Sequence, residues 1–271
     1  MSLSELKKHA VETIRRSYSL LSQEQDLSPA NARVNAQLTD LVRTLTRCQT
    51  PEISDYLLTA PELATEREHL PRLCAEAECE MEKFWARHLI ACDVCDVSKF
   101  WYYPEYQELC RAEKALFVES RSFETISFLG SGALPLTAFL LAKHLPGAKV
   151  TCVDFDEEAC DLALQLSRKI GIANDIDIRC MDALEYAPRD HELVICASLL
   201  QGREKIYRRL QDRQCAMIVR DSEGAYQFLY KAAELPERGF REIAKTGVDP
   251  RRINTSRYYE RDFGIGDYAA A

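Results

Sequence analysis

The chain has 271 residues, of which 46% are hydrophobic, enough to bury the core of one large domain or two modest ones and to exclude disorder. A formal net charge of -8 and a pI near 5.3, with lysines and arginines dispersed along the chain, exclude nucleic acid as a partner. No apolar run approaches the roughly 20 residues that cross a bilayer, and the opening MSLSELKKHAVETIRRS has no signal-peptide pattern, so no membrane role and a cytoplasmic location are expected.

From the start to residue 120, apolar residues recur at helical spacing, as in Ile14, Tyr18, Leu21 and Leu38, Leu41, Leu45, with almost no glycine. A helical bundle is expected over 1–120, punctuated by Pro61, Pro71 and Pro104. The eleven cysteines sit mostly in apolar contexts and suit free thiols in a reducing compartment. Cys92 and Cys95 have CxxC spacing, yet neither a second pair nor a nearby histidine completes a tetrahedral set, so no metal ligand is expected.

Within RLCAEAECEMEKFWARHLIA, helical spacing puts Glu78 and Glu82 on one face with Trp85 and Leu89. Two like charges one turn apart beside an apolar wall disfavour double ionisation, which suits one of them to accept a proton. The same spacing also fits a solvated acidic face. The run KFWYYPEYQEL follows, and the phenols of Tyr103 and Tyr106 suit orientation of a polar substrate, or the cluster plugs the core between two helices.

Beyond residue 121 the pattern becomes short β-branched runs alternating with amphipathic segments: TISFLG, AKVTCVDFD, IDIRCMD, ELVICAS and QCAMIVRD. This alternation predicts an α/β fold, with the helical bundle followed over 121–271 by a Rossmann-like, doubly wound parallel sheet. The boundary is expected near Arg121 to Glu124.

In TISFLGSGALPLT, Gly130 and Gly132 fall between a strand and a helix, where glycine permits a tight turn and close approach of a ligand. Pro135 stands where a third dinucleotide glycine belongs, so a cofactor without a pyrophosphate fits better. Asp154 ends the next strand, in position to accept from both ribose hydroxyls. Ser131, Leu136, Thr137, Phe155, Ala183 and Ala197 flank these points and complete the expected nucleoside site. Asp182 ends the third strand, where it either holds the base or caps a helix. Arg220, in IVRDSEG, suits bidentate capture of a carboxylate or a surface ion pair.

Taken in order, RLCAEAECEME, FWYYPEY, FLGSGALPLT with VDFD, and IVRDSEGAYQFLY resemble the nicotianamine synthase family over residues 70 to 260. The GSGxLPLT string is the most specific part, because general methyltransferases lack its LPLT continuation. The resemblance implies S-adenosylmethionine as co-substrate, no metal in catalysis, and transfer of its 3-amino-3-carboxypropyl group to an amine with release of methylthioadenosine. It implies Glu82 as the base that deprotonates the amine, with Glu78 tuning it and Tyr103 and Tyr106 holding the acceptor. Asp182 then takes the adenine amino group, by analogy of fold. Asn254, in INTSRYYE, resembles a family segment and is a candidate substrate contact. The short chain resembles bacterial enzymes of the staphylopine and pseudopaline type, which implies histidine as acceptor, an opine metallophore as product and a possible homodimer. Nicotianamine synthesis and methyl transfer are the alternatives.

Overall fold

The computed structural model describes residues 2–117, 122–249 and 252–262. The expected boundary residue Arg121 lies outside the described residues, while Glu124 directly precedes the first strand. Contacts divide the chain into two compact units, residues 1–84 with 222–232, and residues 85–221 with 233–271.

The first unit is helical. Helices α1 (Leu3–Leu21), α2 (Ala32–Arg47) and α3 (Pro51–Thr59) precede the first part of α4 (Ala64–Ala91). Their starts follow capping chemistry. Ser2 and Glu5 form a reciprocal capping box at α1, Asn31 accepts from two amides of α2, and Pro51 opens α3. Ile14, Leu21, Val34, Leu41, Leu45, Leu57, Leu63 and Leu70 fill the core. Pro71 does not end a helix as expected; α4 runs through it for 28 residues. The segment after the fifth strand belongs to this unit, a placement the sequence did not announce. Gln49 donates to the carbonyl of Glu223, the Ala225 amide donates to Ser54 Oγ at 3.2 Å, and the Tyr226 hydroxyl donates to Thr46 Oγ1 at 3.0 Å.

The second unit carries α5 (Tyr103–Ala115) and a seven-stranded sheet. Strands β1 (Thr125–Leu129), β2 (Lys149–Asp154), β3 (Ile176–Cys180), β4 (Leu193–Cys196) and β5 (Ala216–Asp221) are parallel, with α6 (Leu136–His144), α7 (Glu157–Lys169) and α8 (Arg203–Leu210) between them. The order is β3-β2-β1-β4-β5-β7-β6, so the chain reverses direction across the sheet between β1 and β4. In open α/β sheets that reversal leaves a ligand crevice at the carboxyl ends of the strands. All five expected strands are present. The purely parallel expectation is corrected by β6 (Phe240–Lys245) and β7 (Thr255–Arg261), an antiparallel pair in which β7 pairs with β5.

All eleven cysteines are free thiols. Burial pushes Cys74, Cys110, Cys196 and Cys215 up to about 12. A thiol held above its unfolded pKa contributes stability below the ordinary thiol value and loses it as pH rises toward the folded one. Thermal melts in reductant are therefore expected to show a falling Tm between about pH 8 and about pH 11, with a shallower fall in Cys196→Ala. An unchanged slope in that variant would remove the thiol from the account.

Candidate active site

The turn after β1 is tight and closely packed. Gly130 has φ +75°, a conformation that strains any side chain, and a Cβ there would meet Ala197 Cβ at a tight 3.3 Å. The Gly130 and Ser131 amides donate to the Val153 carbonyl at 2.8 and 3.2 Å, laying the turn over the end of β2. Gly132, at φ +67°, donates its amide to Asp154 Oδ2 at 2.8 Å, and Asp154 Oδ1 accepts from the Asp156 amide at 3.0 Å. Each carboxylate oxygen is thus fixed by one main-chain donor and retains a lone pair for a hydroxyl. Gly130, Gly132, Asp154 and Ala197, singled out from sequence, are brought together.

Phe155 follows Asp154 and is 81% exposed, a ring presented at the carboxyl edge of the sheet. Asp182 is also exposed. Its Oδ1 accepts from the Leu184 amide at 2.8 Å, which closes a turn rather than capping a helix, since β4 is the next element after β3. Ala183 beside it is half-buried.

Pro135, Leu136 and Thr137 are buried, at and just before the start of α6. The Thr137 hydroxyl accepts from Arg220 Nη2 at 2.8 Å. Arg220 is the clearest departure from expectation. Its Nε and Nη2 donate to Glu113 Oε1 and Oε2 at 2.8 and 2.9 Å, and its guanidinium lies 5.1 Å from the Phe128 ring centre. Burial opposes the charge, but the Glu113 carboxylate overcomes that opposition and holds the guanidinium above its ordinary pKa. Ser256 Oγ donates to Glu113 Oε1 at 2.7 Å. The fork assigned to a substrate carboxylate is therefore engaged within the protein, because a buried cation needs a partner. Arg220 and Thr137 are better described as joining α5, α6, β5 and β7.

Glu113 is the residue that sequence reading missed. It shares the buried face of α5 with Leu109 and Cys110, and a carboxylate on an apolar stripe was the available signal.

Helix α5 also carries Tyr103 and Tyr106, both half-buried. Burial, then the neighbouring Asp96 and Cys110, lifts the Tyr103 phenol above its usual pKa, so it stays protonated and can donate. Tyr106 packs edge-on to Phe100 at 6.2 Å between centres, and Phe100 packs in turn on Trp85 at 5.7 Å.

Glu78 and Glu82 lie one turn apart on the α4 stretch that belongs to the first unit, and both are half-buried. The Cys74 thiol is raised chiefly by burial and secondarily by the Glu78 carboxylate one turn along the helix. Asn254 is half-buried, and its Oδ1 finds no hydrogen-bond partner among the described residues. Among the described residues no group of three histidine, cysteine or carboxylate side chains could hold a metal ion. No described helix is long and apolar enough to cross a membrane.

Comparison with known proteins decides among the chemistries this arrangement allows. A family model described as nicotianamine synthase protein matches residues 3–256. The chain belongs to the nicotianamine synthase family. It is accordingly an S-adenosylmethionine-dependent aminocarboxypropyl transferase, with S-adenosylmethionine as its co-substrate. Nicotianamine synthase 2 of Oryza sativa subsp. japonica is 30% identical over 270 residues, covering 90% of this chain and 80% of the rice protein. Probable nicotianamine synthase 3 of Hordeum vulgare is 29% identical over 264 residues, covering 90% and 78%. The crystal structure of a Glu-to-Gln mutant of MtNAS superposes with a TM-score of 0.81 at 20% identity, covering 93% of this chain and 97% of that one, which shows the shared fold. The same mutant has been crystallised in complex with S-adenosylmethionine.

Replacing Asp154 with Ala is expected to weaken S-adenosylmethionine binding by about 1.5–3 kcal/mol, the range for hydrogen bonds to a charged group. Calorimetric titration checks this, and an unchanged dissociation constant would remove Asp154 from the site.

Proposed function

We propose that this protein transfers the 3-amino-3-carboxypropyl group of S-adenosylmethionine to the amino group of histidine, releasing methylthioadenosine and building a nicotianamine-like opine metallophore. The observation that carries the transfer is the glycine turn tied to Asp154, which fixes a nucleoside without offering a phosphate cradle, in a chain of the nicotianamine synthase family. A sulfonium activates all three attached carbons, so the product follows from which carbon the nucleophile is aimed at. The turn, Asp154, Phe155 and the segments at Asp182–Ala183 and Ala197 hold the adenosyl part. Glu82 removes the proton from the acceptor amine, Glu78 assists or tunes it, and Tyr103 and Tyr106 hold the acceptor. Asn254, with its unpaired amide oxygen, is a further acceptor contact. Arg220 and Thr137 act by positioning.

A second reading, condensation of aminobutyrate units into nicotianamine, is favoured by the names of the plant relatives. Incubation with S-adenosylmethionine and L-histidine, D-histidine or no acceptor distinguishes them by mass spectrometry. An aminobutyryl-histidine adduct supports the histidine reading, whereas nicotianamine formed without added acceptor would replace it. The enzyme is further proposed to act as a homodimer in the cytoplasm.

A further inference from the structure

Arg203 is the first residue of α8, is 4% exposed, and stands at the helix end where a positive charge is unfavourable. Its guanidinium donates to four main-chain carbonyls. Nε donates to Leu200 at 3.1 Å, Nη2 to Ala197 at 2.5 Å and Ser198 at 2.7 Å, and Nη1 to Arg220 at 2.8 Å. A buried cation held chiefly by carbonyl dipoles, at the wrong end of a helix, costs stability that an apolar residue would not cost. Its reach explains its presence. Three of its four acceptors belong to the segment that follows β4, and that segment forms the other wall of the crevice from the glycine turn. Ala197 Cβ and Leu200 Cδ1 lie 3.3 and 3.6 Å from the position of a Cβ on Gly130. The fourth acceptor is the carbonyl of Arg220, whose side chain holds Thr137 at the start of α6. The two walls of the crevice, after β1 and after β4, are thereby joined through two buried guanidinium groups.

We infer that Arg203 is a positioning residue for the co-substrate: it clamps the Ala197–Leu200 segment against the glycine turn and so sets the shape of the adenosyl pocket. A guanidinium fork suits this task because three carbonyls in different directions need a rigid set of donors, which a lysine ammonium does not supply. The inference rests on the reading of this crevice as the S-adenosylmethionine site.

In Arg203→Lys the charge stays and the fork is lost. The KM for S-adenosylmethionine is expected to rise about tenfold or more, while kcat and the KM for the acceptor change by less than about threefold. Equal effects on both substrates, or a lower Tm with the KM for S-adenosylmethionine unchanged, would overturn the clamp and leave Arg203 a purely structural residue. The unsubstituted protein provides a test that does not depend on the variant folding. Hydrogen exchange with and without S-adenosylhomocysteine is expected to show slowed amides over residues 197–202. Binding of that nucleoside without any change over 197–202 overturns the clamp alone, whereas no binding of either it or S-adenosylmethionine overturns the reading of the crevice and the clamp with it.

Discussion

Glu82→Gln is expected to lower turnover by about 100-fold or more, the scale on which a general base contributes, while S-adenosylmethionine binds as it does to the unsubstituted protein. An amine attacks carbon only through its lone pair, and the amino group of an amino acid is protonated near neutral pH. The protein must therefore supply an acceptor for that proton. Glu82 lies one helical turn from Glu78, both are half-buried, and the carboxylate of Glu78 already perturbs a neighbouring thiol. Glutamine preserves the shape and removes the basicity. Single-turnover kinetics paired with a calorimetric titration separates the outcomes. Loss of S-adenosylmethionine binding with the turnover would contradict the role, and so would unchanged turnover. Because the proton must leave before attack, raising the pH is expected to recover part of the activity of Glu82→Gln, as the free amine becomes populated without help.

Glu113→Leu is expected to destabilise the fold by about 3–5 kcal/mol, because it leaves the Arg220 guanidinium buried with no countercharge. The carboxylate accepts two donors of Arg220 and the hydroxyl of Ser256, all within an interior where their side chains are almost wholly hidden. Removing both charges is a different experiment from removing one. In Glu113→Leu combined with Arg220→Met the desolvation cost disappears along with the attraction, and most of the lost stability is expected to return. Urea denaturation of the two single variants and the double variant measures this directly. A double variant as unstable as the sum of the singles would show that the ion pair is not the unit that matters.

The alternating half of the chain was the more legible. Five strands and the glycine turn follow from period, β-branched runs and the placement of Gly130 and Gly132, since these are local signals set by the neighbours in sequence. The antiparallel pair β6 and β7 was not foreseen. β6 is mostly exposed and charged, as suits a strand at the edge of a sheet, and no tight-turn dipeptide announces the connection to β7. Pro71 misled because a proline inside a helix removes one hydrogen bond, and the apolar stripe of Leu70, Leu73, Cys74 and Ala77 outweighs that loss. The site divided in the same way. The placement of Asp154 was legible because it depends on one strand and one turn, and its bond to the Gly132 amide ties those two elements together. Arg220 was not, because its function depends on Glu113, a partner 107 residues away in sequence. Asp182 fell between: its place just after β3 was legible from the strand pattern and its Oδ1 closes the following turn, whereas the adenine contact came only from analogy of fold.

The most direct test of the account uses S-adenosylmethionine labelled with carbon-13 in either the S-methyl group or the γ-carbon of the methionine part. The account predicts that the γ-carbon label appears in the acceptor and that the methyl label leaves with methylthioadenosine. Methyl label in the acceptor, with S-adenosylhomocysteine as the nucleoside product, would contradict it.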